Sequence, residues 1–218
     1  VNPYGVLYNP YSISAALREM LSGKEYAQED LFRYRGLWHS AMHHGMFSAE
    51  KADDVLEGIN RCLKNARGVL KNGPDCLLIT FGTAWVYEEK ATGRVVGNCH
   101  KLPEREFTRR KLSVEEIVSD YTSLLSEMWV SNPNLKVLFT VSPIRHIRDG
   151  MHASQLSKAT LLLAIDALQK TFVENVFYFP AYELLLDELR DYRFYANYMV
   201  HPSEMAINYI WERLVATY

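Results

Sequence analysis

The sequence predicts an α/β protein, a three-layer α/β/α sandwich with a mostly parallel sheet. Three short apolar runs, at residues 76–82, 136–143 and 175–180, have the composition of strands that are buried on both faces. Segments with helical periodicity separate these runs. Because a helical crossover is the usual connection between parallel strands, this alternation predicts a parallel sheet with helices on both faces.

Two helices are expected before the first of these strands. Residues 10–23 carry apolar side chains at helical spacing, with Ser12 as the expected N-cap and Gly23 as the stop. A second helical pattern covers residues 49–71 and ends at an Asn-Gly-Pro sequence, which is typical of a helix end.

A hairpin and a third helix are expected between the first and second strands. Residues 84–103 alternate in the manner of a β-hairpin, with Thr92 and Gly93 at its turn. Residues 112–133 then form a helical pattern that opens with a Ser-x-x-Glu capping box and closes at Asn-Pro.

Two further helices complete the pattern. Residues 155–172 lie between the second and third strands, and residues 202–218 form an amphipathic helix at the end of the chain. Pro202 suits the first turn of that last helix.

Length, composition and charge restrict the class of protein. At 218 residues, 48% of them hydrophobic, the chain is expected to form one domain over residues 1–218. A formal net charge of -2 gives no reason to expect a nucleic acid or a membrane surface as partner. Composition makes no prediction of the oligomeric state.

The chain ends and the cysteines bear on localisation. No apolar run reaches the roughly 18 residues that span a bilayer, and the first residues lack the pattern of a signal peptide. The three cysteines contain no CxxC pair, which favours thiols in a reducing compartment. We therefore expect a cytoplasmic location.

The carboxyl ends of the predicted strands form the expected ligand-binding edge. Gly82 ends the first strand, where a glycine lets a ligand approach backbone amides that can donate to an oxyanion. Arg145 and His146 follow the second strand; the guanidinium can bind a carboxylate or phosphate, or pair with an acid of the fold. His201, just before the last helix, is placed for a general base, although a lone histidine there can also be structural.

An acidic segment precedes His201. Residues 187–195 combine acids, arginines and tyrosines, a pattern typical of a surface ion-pair network. One of the acids, Asp191 or Asp187, is the candidate for orienting the His201 ring, as the aspartate of a catalytic triad does.

A histidine-rich segment, residues 38–48, raises the alternative of a metal site. His39 and His43 would point to one side if the segment were helical, with His44 beside them. No HExxH sequence or carboxylate pattern completes a coordination set, so structural roles are favoured. We expect no metal site and no cofactor.

Several longer blocks resemble the GSCFA family. They include NPYGVLYNPYSI, ITFGTAWVYE, TVSPIRHIRDG, YFPAYELLLDELRDYRFYA and HPSEMAINYIW, and the resemblance runs from residue 2 to about residue 211. The family is a bacterial one that resembles the SGNH (GDSL-like) hydrolases. The resemblance therefore implies the SGNH hydrolase-like, flavodoxin-like form of the α/β/α sandwich.

The resemblance also implies oxyanion donors and a nucleophile. In SGNH hydrolases a serine of the first block attacks the ester; by the resemblance, that serine and its strand would precede residue 1. Gly5, in NPYG, corresponds to the glycine of the second block. Gly82 lies in the third block, where Ala84 stands at the position of the usual asparagine. The oxyanion hole would then depend on backbone amides and on a neighbour such as Thr83.

The last block departs from the family pattern beside the proposed base. His201 matches the histidine of the DxxH sequence, but Tyr198 stands at the position of the aspartate. The resemblance thus implies a catalytic histidine without its usual carboxylate.

Together these features predict an SGNH-like serine esterase or acyltransferase. Its partner would be a small-molecule ester or an O-acylated carbohydrate. The alternative is a catalytically weak or inactive SGNH-like domain that binds a carbohydrate or another small ligand, because Tyr198 and Ala84 replace the expected aspartate and asparagine.

Overall fold

The computed structural model of the protein describes residues 2–218. Its strands are, in chain order, β1 (Leu31–Tyr34), β2 (Leu37–Ser40), β3 (Cys76–Phe81), β4 (Trp85–Glu89), β5 (Val95–Val96), β6 (Phe107–Lys111), β7 (Lys136–Val141) and β8 (Val176–Phe179). Its helices are α1 (Pro10–Ser22), α2 (Ala52–Lys71), α3 (Val114–Ser131), α4 (Met151–Thr171), α5 (Ala181–Glu183), which continues as a π-helical turn (Leu184–Glu188), and α6 (Glu204–Thr217). No helix within these residues combines the length and the apolar composition that a membrane-spanning segment needs.

The chain contains two compact units, and the expectation of one domain over residues 1–218 stays a prediction. Unit 1 contains residues 2–75, 85–112 and 119–135, and unit 2 contains residues 76–84, 113–118 and 136–218. Within residues 2–218, no sheet is shared between the units, so the two are described in turn.

Unit 2 contains the parallel sheet that the sequence predicts. Its strand order is β3-β7-β8, and both pairs are parallel. The register places Phe81 opposite Val141, and Thr140 opposite Phe179. The carboxyl ends of the three strands therefore lie at the same edge, and the α/β class with its parallel sheet is confirmed.

Helices cover the central strand of this sheet. Leu138 of β7 packs with Phe179, and Ile210 and Leu214 of α6 lie against them. Helix α4 packs against β7 and β8. Because successive side chains of a strand point to opposite faces, the complete burial of Phe139 next to Leu138 means that both faces of β7 are covered. This is consistent with the predicted α/β/α layers.

The prediction for β3 is wrong in one respect. The sequence predicts a strand that is buried on both faces, yet Cys76, Leu78 and Thr80 are exposed, while Ile79 and Phe81 are buried. The physical reason is position: within residues 2–218, β3 is an edge strand of the sheet. Leu78 keeps 47% of its surface exposed.

Unit 1 is built around two antiparallel sheets. Strands β1 and β2 form a hairpin that the sequence analysis did not predict, whereas β4 and β5 form the predicted hairpin, with β6 added on the other side of β4. Its core contains these buried residues: Tyr4, Ala16, Tyr26, Leu31, Val55, Ile59 and Leu63.

The helix ends follow capping chemistry, with some shifts from prediction. Asn9, not Ser12, caps α1, because the Asn9 side chain accepts the amide hydrogen of Ser12. Gly23 ends the helix in the left-handed conformation, as predicted. At the last helix, Ser203 is the cap, so Pro202 lies before the helix and not in its first turn.

The observed starts of α3 and α4 can be compared with the predicted ones. The predicted capping box of α3 is present: the amide of Glu116 donates to the Ser113 hydroxyl, and the amide of Ser113 donates to the Glu116 carboxylate. Helix α4 begins at Met151, about one turn before its predicted start.

Gly5 closes a turn in unit 1. Its amide donates to the carbonyl oxygen of Asn2 at 3.0 Å, and its φ of +78° lies in the left-handed region. An added Cβ would lie 2.3 Å from the Cβ of His44. Both the backbone and the close packing therefore require glycine.

Replacing Gly5 by alanine should lower the free energy of unfolding more than replacing Gly36 does. Both glycines have a similar positive φ, so each alanine carries a backbone penalty of about 1–2 kcal/mol. A Cβ at Gly36 meets nothing within 4 Å, whereas one at Gly5 collides with His44. Urea denaturation of Gly5→Ala and Gly36→Ala measures the difference, and equal losses would contradict this steric explanation.

Candidate functional site

The carboxyl edge of the unit 2 sheet brings several of the predicted residues together. The name edge site is used here for Gly82, Arg145, His146, Lys158 and His201. All five belong to unit 2. The first three follow the ends of β3 and β7, Lys158 lies on α4, and His201 precedes α6.

Lys158 bridges the ends of two strands. Its Nζ donates to the carbonyl oxygen of Gly82 at 2.6 Å and to that of Ser142 at 2.5 Å. Gly82 follows β3 and Ser142 follows β7, so one side chain ties both strand ends to α4. Only 2% of the Lys158 surface is exposed. Within residues 2–218, no carboxylate lies within ion-pair distance of this amine.

This environment changes the protonation of Lys158. Burial lowers the pKa of the Lys158 amine to about 7, because a charged ammonium loses its hydration without gaining a carboxylate partner. The amine is therefore close to half protonated at neutral pH, and both of its protonation states can donate to the two carbonyl oxygens.

His146 binds the same carbonyl group as Lys158. Its Nε2 lies 3.1 Å from the Gly82 oxygen, and because a carbonyl oxygen can only accept, Nε2 carries the proton. The Gly82 carbonyl thus accepts from two side chains and is fixed in direction. The peptide group that contains this carbonyl also contains the N–H of Thr83. In a trans peptide that N–H points in the direction opposite to the carbonyl oxygen.

The segment after β3 is also fixed to α4. The Ser157 hydroxyl accepts the amide hydrogen of Ala84 at 2.8 Å and lies 3.1 Å from the Thr83 hydroxyl. Thr83 and Ser157 are both buried, and Ala84 is fully buried. Position 84 therefore contributes no polar side chain to the site, and Thr83 directs its hydroxyl to α4.

Arg145 connects the end of β7 to the loop that carries His201. Its amide donates to the Val200 carbonyl at 3.1 Å, and its guanidinium lies 3.9 Å from the centre of the Tyr195 ring. Nη1 also lies 3.4 Å from the Met199 carbonyl oxygen. Among the residues that the structure describes, no acid pairs with Arg145. An ion pair therefore does not explain the position of this side chain. The half-buried guanidinium keeps donors for an anionic group.

His201 is exposed on this loop. Its ring meets the Tyr198 ring edge-on, with 5.4 Å between centroids, and its backbone carbonyl accepts from Ala196. No group of residues 2–218 hydrogen bonds the imidazole. Tyr198 therefore occupies the side of the ring but cannot orient it as a carboxylate would.

The acids proposed to orient His201 are engaged elsewhere. The Asp191 carboxylate caps the Arg193 amide and pairs with the Arg193 guanidinium at 2.9 Å, contacts that hold the pKa of Asp191 below its usual range. Asp187 pairs with Arg190 at 3.3 Å. The structure does not join either acid to His201, and the surface ion-pair reading of this segment describes it better.

The oxyanion role of Gly5 stays a prediction. Gly5 belongs to unit 1, and its amide hydrogen is used within its own turn, as described above. In this structure the close contact with His44, and not a ligand, explains the glycine.

The histidine-rich segment is not a helix. His39 lies in β2, and its Nδ1 and Nε2 contact the Ser48 hydroxyl and the Tyr34 carbonyl. His43 is buried against Tyr4, and burial lowers the pKa of its imidazole to about 3, so it is neutral. In residues 2–218, no group of three or more histidines, cysteines and acids is arranged to hold a metal ion.

Sequence reasoning missed Lys158 and Ser157. A usable signal was present: Lys158 recurs with Leu161, Ile165 and Leu168 on the buried face of α4. A lysine on an apolar helix face, with no acid one turn away on that face, indicates a buried amine that has to find polar partners elsewhere.

The buried lysine predicts a pH dependence of stability. The amine of the unfolded chain keeps an ordinary pKa near 10.5, whereas that of the fold is about 7. Between these values the unfolded chain binds more protons, so the free energy of unfolding rises with pH, by about 2 kcal/mol between pH 7 and pH 9. Lys158→Met should remove this rise in urea denaturation at both pH values.

Lys170→Met is the matched control, because Lys170 is exposed on the same helix and pairs with Asp166. It should keep the slope of the unmodified protein. Equal slopes for all three proteins would mean that burial does not lower the pKa of the Lys158 amine.

Comparison with known proteins agrees with the sequence blocks. Neither curated proteins nor solved structures give a match to the chain. The model of the GSCFA family matches residues 1–214. That match covers nearly the whole sequence, and it follows that the chain belongs to the GSCFA family.

Proposed function

We propose that the edge site catalyses the transfer of an acyl group from an O-acyl ester, to water or to an acceptor hydroxyl. One observation supports this most: Arg145, Lys158 and His201, none of which pairs with an acid of residues 2–218, lie at or beside the carboxyl edge of a parallel sheet, where such folds bind ligands. Hydrogen bonds link Gly82 to His146, and Arg145 to the loop of His201.

Each group of the edge site has a role in this proposal. A serine that the family resemblance implies before residue 1 attacks the ester carbonyl, and His201 takes its proton. The carbonyl oxygen becomes an oxyanion, which Arg145 and the backbone at Gly82 and Thr83 stabilise. His201 then returns the proton to the leaving alcohol, and water or an acceptor hydroxyl takes the acyl group from the serine in a second step.

The exposed imidazole fits this role without a catalytic carboxylate. A general base must reach the substrate, and His201 is exposed on a loop that Arg145 holds at the strand end. Because no acid orients the ring, we expect a slower enzyme than a complete Ser-His-Asp triad gives.

The absence of a CxxC pair among the three cysteines supports a reducing compartment, the cytoplasm, as the location of the protein.

Replacing His201 tests the proposal directly. The protein in its natural full length should hydrolyse p-nitrophenyl acetate and be labelled by a fluorophosphonate probe. His201→Ala should lower kcat/KM by at least about 100-fold, because a general base contributes that much. His152→Ala, which removes another exposed histidine of unit 2, should leave kcat/KM unchanged. If the full-length protein neither hydrolyses the ester nor is labelled by the probe, the proposal is contradicted.

A ligand-binding function is the second candidate. Exposed aromatic side chains favour it: Tyr192 and Tyr198 keep 71% and 62% of their surface exposed in the segment before His201. Thermal stabilisation by cellotetraose or chitotetraose that persists in His201→Ala and disappears in Tyr198→Ala would support binding over catalysis. No stabilisation by either sugar would remove this candidate.

A further inference from the structure

Unit 1 contains a cavity that the proposed acyl chemistry does not use. It has a volume of about 640 Å³ and lies between α1, the β1–β2 hairpin and the β4–β5 hairpin. All of its lining residues belong to unit 1. Small-molecule sites have volumes of roughly 300–1,000 Å³, so the cavity has the size for a small ligand.

A serine hydroxyl without a hydrogen-bond partner lines this cavity. Ser14 of α1 is 2% exposed, and in the part of the chain that the structure describes nothing hydrogen bonds its hydroxyl. The nearest carbonyl along the helix for such a bond, that of Pro10, accepts from the Tyr121 hydroxyl. The Ser14 hydroxyl can therefore donate to, or accept from, a ligand in the cavity.

A carboxylate lines the same cavity. The Oε2 atom of Glu19 accepts from the Tyr4 hydroxyl at 2.5 Å and from the Tyr26 hydroxyl at 2.8 Å. Burial, together with the Glu19 carboxylate, raises the pKa of both phenols, so both stay protonated and keep donating. Two hydroxyl donors therefore converge on one oxygen of this carboxylate. Its other oxygen, Oε1, accepts no hydrogen bond and pairs with no cation of residues 2–218.

The charges around the cavity favour a cation. Two of the basic groups are already paired, Arg18 with Asp120 and Lys24 with Asp30, each at 2.8 Å. The charged side chains of the lining are Glu19, Glu29, Asp30, Glu89 and Asp120 against Arg18, Lys24 and Arg94. Acids therefore outnumber bases by five to three, and the excess negative charge attracts a positive ligand.

The remaining walls suit an apolar or aromatic body. Tyr11, Phe32, Met42 and Val96 contribute to the lining, and two of these side chains are aromatic. Aromatic faces attract cations and stack on flat rings. An ammonium group on an aromatic body would thus find a complementary partner at each part of the cavity.

We propose that the unit 1 cavity binds a small organic cation, a primary ammonium on an aromatic or apolar body, with Glu19 as its counter-ion and Ser14 as a hydrogen-bond partner. This site is separate from the proposed acyl chemistry, and its test does not depend on turnover. The ligand charge, and not its shape, decides the affinity.

Three ligands of nearly equal shape separate charge from size. Tyramine carries an ammonium, tyrosol replaces it by a hydroxyl, and 4-hydroxyphenylacetate by a carboxylate. Isothermal titration of the whole chain at pH 7 should give binding of tyramine, at least about tenfold weaker binding of tyrosol, and no binding of the anion. No binding of tyramine, or equal affinity for all three, would overturn the proposal.

Two variants locate the ligand. Glu19→Gln keeps an acceptor for both tyrosines but removes the charge, and it should weaken tyramine binding at least about tenfold. Glu25→Gln is the matched control, because Glu25 is exposed, near in sequence and outside the cavity lining. If both variants weaken binding equally, the effect is one of net charge and the assigned site is wrong.

Ser14→Ala gives a second test that does not endanger the fold. Alanine is the best helix former, so α1 and the melting temperature should be preserved while tyramine binding weakens several-fold. Unchanged tyramine affinity in Ser14→Ala, with binding otherwise intact, would contradict the role of the hydroxyl and exclude Ser14 from the site.

Discussion

The contact of the Lys158 amine with the carbonyls of Gly82 and Ser142 is the constraint on which the edge site depends. Those two groups end neighbouring strands, and the amine that joins them belongs to α4. His146 binds the same Gly82 oxygen, and Arg145, three residues after Ser142, holds the backbone of the loop that carries His201. A buried amine with no carboxylate is unfavourable in isolation. Two short hydrogen bonds offset part of that cost and join the amine to both strand ends.

Much of the fold could be predicted, because apolar patterning decides it. Strands β7 and β8, helix α3 with its capping box, and the turn of the β4–β5 hairpin follow from local residue types. The exposure of β3 could not be predicted, because an apolar run has the same composition at the edge of a sheet as in its centre. The β1–β2 hairpin was missed because its strands are only four residues long.

The candidate site was predicted in part. Gly82, Arg145 and His146 do lie at one sheet edge, because each follows a recognisable buried strand. The orientation of His201 could not be predicted from Asp191, since a nearby arginine competes for that carboxylate and sequence spacing does not decide between the two partners. Lys158 is distant along the chain from Gly82, and only the packing of α4 on the sheet brings them together.

The edge site and the unit 1 cavity differ in the sign of the charged side chains that they contain. The edge site contains Arg145 and Lys158, neither of which pairs with an acid of residues 2–218, and these groups favour negative charge that develops on a substrate. The unit 1 cavity has an excess of acids, which favours a positive ligand. The central claim, that Lys158 organises the edge site, is tested most directly by amide hydrogen exchange, followed by NMR, in the unmodified protein and in Lys158→Met. The amides of Ala84, Ser142 and Arg145, each hydrogen bonded at the strand ends, should exchange at least about tenfold faster in the variant, while that of Phe139 in the middle of β7 stays protected. Unchanged exchange at the three strand-end amides would contradict the claim.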